Sequence, residues 1–190
     1  MTEKQLSKDE SLRLITEMIS QAKHNFAKGG SFFFLLWGIV VCTANAGHYV
    51  MMKWHLFEKP QMIWMITIPA GIISIIYSVR MDQKALVKSH LDRMYGLIWI
   101  GVFICTVLLL TFIGNYSNIN PIILLFAGLG TFLSGCMLRF TPLILGGFAL
   151  WIAAGVAFKL PMIDQYLIGA IGIFAGYLIP GYLLRKAEND

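Results

Sequence analysis

The sequence predicts an all-α polytopic membrane protein, six transmembrane helices preceded by an amphipathic cytoplasmic helix. Three observations carry this expectation. Six long apolar stretches follow one another along the 190 residues, and their cores hold no Asp, Glu, Lys or Arg. Of the whole chain 57% is hydrophobic and only 13% charged, about half the ~25% of an ordinary soluble domain. A soluble fold of this size lacks the polar residues to cover so much apolar surface, whereas lipid solvates it directly. The Lys and Arg residues also fall mostly into alternate loops, as membrane topology requires.

A segment over 1–30 comes first. Within it Ser7 and Glu10 have capping-box spacing. Leu12, Ile15, Ile19, Ala22 and Phe26 recur at steps of three and four, which predicts one apolar stripe on a helix over 8–28. Gly29 and Gly30 break that helix before the first span. The segment lacks the continuous apolar core of a cleavable signal peptide, so the first span is expected to act as the targeting signal.

The predicted spans of the 31–184 bundle cover 31–52, 61–79, 94–114, 120–138, 141–158 and 162–184, followed by a short tail over 185–190. Each approaches the roughly 20 residues a helix needs to cross hydrocarbon. Continuous rather than alternating apolar runs argue against a β-barrel. Lys53 and His55 end the first span and Arg80 the second. Asn115 to Pro121 is a polar turn, with Pro121 suited to the first turn of the next helix. Arg139 with Pro142, and Lys159 with Pro161, mark tight turns that predict an antiparallel arrangement of the last four helices.

Counting Lys and Arg sets the orientation. Twelve lie on the side of the N-terminal segment, the 80–93 loop, Arg139 and the C-terminus, against three (Lys53, Lys59 and Lys159) on the other. Both termini are therefore expected in the cytoplasm. Trp54, Trp64 and Tyr116 then fall near the outer interface, where amphipathic rings favour the headgroup layer. The same topology accounts for the net charge of +5, and no direct nucleic-acid binding is expected.

The chemistry-bearing residues are few. No span holds an ionised side chain at mid-depth, which argues against an ion-coupled carrier. No HExxH, GxSxG, P-loop or paired-carboxylate pattern occurs. The GxG of Gly128 and Gly130 lies inside a span, with no strand before it as a dinucleotide fold needs. Cys42, Cys105 and Cys136 lie in apolar segments without CxxC spacing and read as small hydrophobes within the membrane. No catalytic residue, metal site or cofactor is expected.

Three groups remain as candidates. Asn45, His48 and His55 form a polar cluster towards the outer side, near Thr43 and Glu58; their spacing matches no metal-ligand pattern. Arg80, Lys84 and Lys88 follow a four-residue step and form a basic ridge for anionic headgroups, for Glu10 and Glu17 of the amphipathic helix, or for a cytoplasmic protein. Gly169, Gly172 and Gly176, with Ala149, Ala153 and Ala157 and with Gly130 and Ser134, line helix faces with small residues. Such faces serve either packing within the bundle or a homodimer seam. Pro69 and Pro180 lie inside apolar stretches and predict helix kinks.

The opening ITEMISQAKHNFAKGGSFFFLLWG and the closing LIPGYLLR resemble a group of small six-helix bacterial inner-membrane proteins of unassigned function. The resemblance covers nearly the whole chain. It implies a sensing or regulatory role, because such proteins are often encoded beside small winged-helix regulators, and it carries no site residues. The expected function is non-enzymatic sensing, binding or regulation in the bacterial inner membrane. Membrane lipids, a second copy and a cytoplasmic protein are the candidate partners. A small uncoupled transporter or channel, dimeric or not, is the alternative.

Overall fold

The computed structural model describes residues 29–84, 90–114 and 116–189, all of them helical or in short connections. The amphipathic segment over 8–28, Lys88 and Asn115 lie outside the described residues, as does the side chain of Lys84. Helix α1 runs Gly30–Lys53 and α2 runs Thr67–Lys84. Helix α3 runs His90–Phe112, α4 Ile119–Leu138 and α5 Thr141–Ala157. The last helix, Met162–Asn189, has two halves, α6 (Met162–Ile173) and α7 (Ile179–Asn189), joined by a π-helical turn at Phe174–Leu178. Five of these helices are long and apolar enough to cross a membrane, and α5, with 17 residues, is a shorter apolar helix.

Helices α1, α4, α5, α6 and α7 form the centre, with their largest contact between α4 and α5. Short linkage explains that pairing. Arg139 adopts a left-handed conformation at φ 51°, and Phe140 N–H donates to the Gly135 carbonyl, which ends α4 and reverses the chain within two residues. Small residues then let the backbones touch. A Cβ on Gly135 would sit 2.6 Å from Ile144 N, and one on Gly147 would sit 2.9 Å from Phe132 N. Gly146 and Gly176 meet reciprocally, each with its Cβ position under 3 Å from the other's carbonyl oxygen. This closeness supplies the van der Waals contact that holds helices together where no hydrophobic drive exists between them.

Helices α2 and α3 flank this centre. The first is held on α1 by Tyr77 stacked on Phe32 at 3.9 Å and by the Trp37 indole donating to Ser74 Oγ at 3.1 Å. The second packs on α4 and inserts Trp99 edge-on between Phe34 and Tyr177.

At both prolines the backbone departs from a regular α-helix nearby. The second span does not begin as an α-helix at 61: Pro60–Ile66 is a 3₁₀ helix, and α2 starts at Thr67. Pro69 therefore sits in the first turn of α2, directly after the 3₁₀ segment. Pro180 follows the π turn, in which Ile179 N–H bonds the Phe174 carbonyl five residues back. Pro180 has no N–H for the Gly176 carbonyl, and that carbonyl instead faces Gly146.

The start of α1 and the end of α7 share one end of the bundle. Glu188 accepts hydrogen bonds from Ser31 N–H at 2.9 Å and from the Ser31 hydroxyl at 2.5 Å. A carboxylate is thus placed on the first turn of α1, where unpaired N–H groups and the helix dipole favour an anion. The expected tail after 184 is a helical continuation that performs this capping.

Candidate functional site

The polar side chains of the interior collect in two layers. At the end of the bundle away from Ser31 and Glu188, Asn45 and His48 lie one turn apart on α1 and are both buried. Asn120, on the first turn of α4, donates through Nδ2 to Asn45 Oδ1 at 2.7 Å. Asn45 Nδ2 in turn donates to the Val41 carbonyl at 3.0 Å. Gly169 of α6 faces the pair: a Cβ there would lie 2.6 Å from Asn45 Oδ1 and 2.8 Å from Asn120 Oδ1. This glycine is the space the two amides occupy.

His48 belongs to the same layer. Its ring stacks on Tyr166 at 3.9 Å, and its Nδ1 accepts from the Trp64 indole at 2.8 Å. An indole N–H only donates, so His48 must present an unprotonated Nδ1, and the neutral ring keeps its proton on Nε2. Gln165 closes the layer at the start of α6, donating to the Leu160 carbonyl at 3.1 Å and reaching Asn118 Oδ1 at 3.5 Å. Each amide is satisfied by a neighbour, as burial in hydrocarbon requires.

A second layer sits nearer the other end. Thr131 and Ser134 of α4 donate to the carbonyls four residues back at 2.8 and 2.7 Å. Their single protons are thereby committed, leaving the oxygens to accept. The Tyr177 hydroxyl lies beside Thr131, and the Tyr95 hydroxyl beside Ser134 and Trp99. Eleven residues of α4 separate Asn120 from Thr131, about 16 Å at the helical rise. Leu124, Leu150 and Ile173, each at most 3% exposed, fill the interval.

The expected groups are distributed as follows. Asn45 and His48 come together, but His55 does not join them; it lies on the exposed loop after α1 with φ 50°. Arg80 is exposed at the end of α2. Gly169, Gly172 and Gly176 are buried within the chain, Gly172 against Ala153 and Gly176 against Leu150 and Gly146. Trp64, read from the sequence as an interfacial ring, is instead the donor to His48. Asn120, Gln165 and Tyr166 were not singled out from the sequence, nor was the tyrosine–hydroxyl layer. Thr131 with Ser134, three apart on one helical face, is the only sequence signal that points to the latter.

Among the described residues no group of three His, Cys, Asp or Glu is placed to hold a metal. Among the described residues, open depressions lie at both ends. The larger, about 470 Å³, is lined by Met51, Phe57, Glu58, Lys59, Met62 and Ile63, and the smaller, about 240 Å³, by Tyr182, Arg185, Lys186 and Asn189.

Fold and interior together define a helical-bundle protein with several helices of membrane-crossing length and composition. Comparison with protein-family models, with curated proteins and with solved structures gives no match.

Proposed function

We propose that this chain is a six-span, non-enzymatic membrane protein of the bacterial inner membrane, with both termini cytoplasmic, that binds or senses a partner rather than conducting a solute. Helix α5 is taken as a span: with its flanking Phe140 and Phe158 it reaches the lower range of crossing lengths. The single observation behind the reading is the apolar interval between the two polar layers. Leu124, Leu150 and Ile173 pack together there, while on either side the amides bond a neighbouring amide or a backbone carbonyl and the Thr131 and Ser134 hydroxyls donate to carbonyls of their own helix. A conduit needs polar groups in reach of a passing solute. Arg80 at the end of α2, and the Glu188 clamp where the N-terminal segment joins α1, are the features through which a cytoplasmic partner would be engaged.

Solute flux tests the reading. Purified protein in liposomes is expected to leave the permeability to glycerol, urea, K⁺ and Cl⁻ at the level of empty liposomes. Saturable flux that is lost in Asn120→Leu would instead establish the transporter or channel alternative.

A further inference from the structure

The larger depression has features that the scaffold does not need. It sits where α1 ends, at the depth of Lys53 and the exposed Trp54, which is the headgroup level if α1 crosses the bilayer. Met51, Phe57, Met62 and Ile63 supply apolar walls, and Glu58 and Lys59 supply one charge of each sign. No membrane-spanning core offers such a combination.

Its walls are fixed, and at some cost. Ile63 is seated on Gly47 so closely that a Cβ on that glycine would overlap Ile63 Cδ1. The next residue, Trp64, is pinned by its bond to His48. These two anchors hold Pro60–Ile66 as a 3₁₀ helix of seven residues, twice the run that this tight geometry usually sustains. The loop that completes the depression passes through His55 in the left-handed region, at φ 50°. Such a conformation is uncommon for a residue with a Cβ. Leu56 N–H, bonded to the Met51 carbonyl at 3.1 Å, ties that loop back to α1. Strained backbone that persists under such anchoring is a mark of binding sites.

We infer that this depression binds a phospholipid whose headgroup carries a primary amine. The phosphate is held by the Lys59 ammonium, the amine by the Glu58 carboxylate, and the upper acyl chains by Met51, Phe57, Met62 and Ile63. The charges select the class. An anionic glycerol headgroup meets Lys59 but offers Glu58 only neutral hydroxyls, without the charge that makes an ammonium–carboxylate pair the stronger one. A choline headgroup has the right charges, but its quaternary nitrogen has no N–H to donate to a carboxylate. The methionines suit acyl chains of varied shape, being unbranched and adaptable. The inference rests on the binding-scaffold reading above and names its ligand.

The test uses the full chain in detergent micelles, with retained lipid counted by native mass spectrometry after equal exposure to phosphatidylethanolamine, phosphatidylcholine and phosphatidylglycerol. The expected preference for phosphatidylethanolamine over each of the others is about fivefold, the upper end for an exposed ion pair. Glu58 and Lys59 are exposed, so their substitution leaves the bundle folded. Glu58→Gln is expected to bring phosphatidylethanolamine down to the phosphatidylcholine level, and Lys59→Gln to weaken all three. Equal retention of the three lipids by the native chain, or a preference that survives Glu58→Gln, would overturn the inference. So would displacement by glycerophosphoethanolamine, which lacks acyl chains, at the same concentration as the lipid. A headgroup preference alongside solute flux would contradict the scaffold reading alone; no preference and no flux would contradict this site alone.

Discussion

Helices α2 and α3 are as apolar as α4 and the last helix, yet they do a different job. Mean hydropathy over the most apolar stretch is 1.9 from Pro60 to Met81 and 2.3 in α3, against 2.0 in α4 and 1.9 in Met162–Asn189. The buried share of those stretches is 6% and 0% in the first pair, and 39% and 50% in the second. Hydropathy records only that a helix tolerates an apolar surrounding, which lipid and a packed core supply equally. What separates the pairs is where the small residues sit. Gly71, Gly96 and Gly101 on α2 and α3 have nothing within 4 Å of a would-be Cβ, whereas Gly128, Gly135, Gly169, Gly172 and Gly176 each have an atom within 3 Å. In α4 and the last helix glycine is a contact surface; in α2 and α3 it is open surface.

The sharpest way to break that contrast is a pair of equal substitutions. Gly135→Leu drives a side chain into the α5 backbone and is expected to cost about 3 kcal/mol or more, read as a large drop in thermal midpoint in detergent. Gly101→Leu adds the same atoms to an open face and is expected to change stability by no more than ~0.5 kcal/mol. Equal losses would erase the distinction between core and lipid-facing helices.

The amide layer is expected to show a smaller effect. Asn45→Ala, Asn120→Ala and the double variant form a cycle whose coupling is expected at about 1 kcal/mol, in the range of interhelical hydrogen bonds measured in membranes. Zero coupling would mean the 2.7 Å bond does not join α1 to α4 in the membrane. Smallest is Trp64→Phe, which keeps the ring but removes the donor to His48. It is expected to cost below ~1 kcal/mol and, by loosening the 3₁₀ helix, to raise amide hydrogen exchange in residues 60–66 without affecting α4 and α5.

Much of this organisation was legible in the sequence, for reasons that also mark where legibility ends. The helices and the turn at Arg139 follow from local composition, and the small-residue faces of α4, α5 and α6 from spacing along one helix. The amide layer does not, because Asn45 and Asn120 lie 75 residues apart and no local rule connects them. Ser31 and Glu188, 157 residues apart, are the same case. Pro69 was legible as an interruption but not in kind: its role depends on the helix starting at Thr67, which Trp64 and Ile63 set through contacts with α1. His48 and His55 looked alike in sequence. Only the loop's reversal after Lys53 puts one ring in the core and leaves the other exposed.

Cys42 tests the closed interior most directly. It lies midway along the 24-residue α1, its thiol 3.5 Å from the Ala170 carbonyl on the core side, while Cys105 and Cys136 lie exposed on the outer surfaces of α3 and α4. In liposomes, a membrane-impermeant charged maleimide should leave Cys42 unlabelled until the protein is unfolded in dodecyl sulfate, when it should react. Modification of Cys42 in the folded protein, mapped by peptide mass spectrometry, would reveal water at mid-depth and contradict the closed bundle.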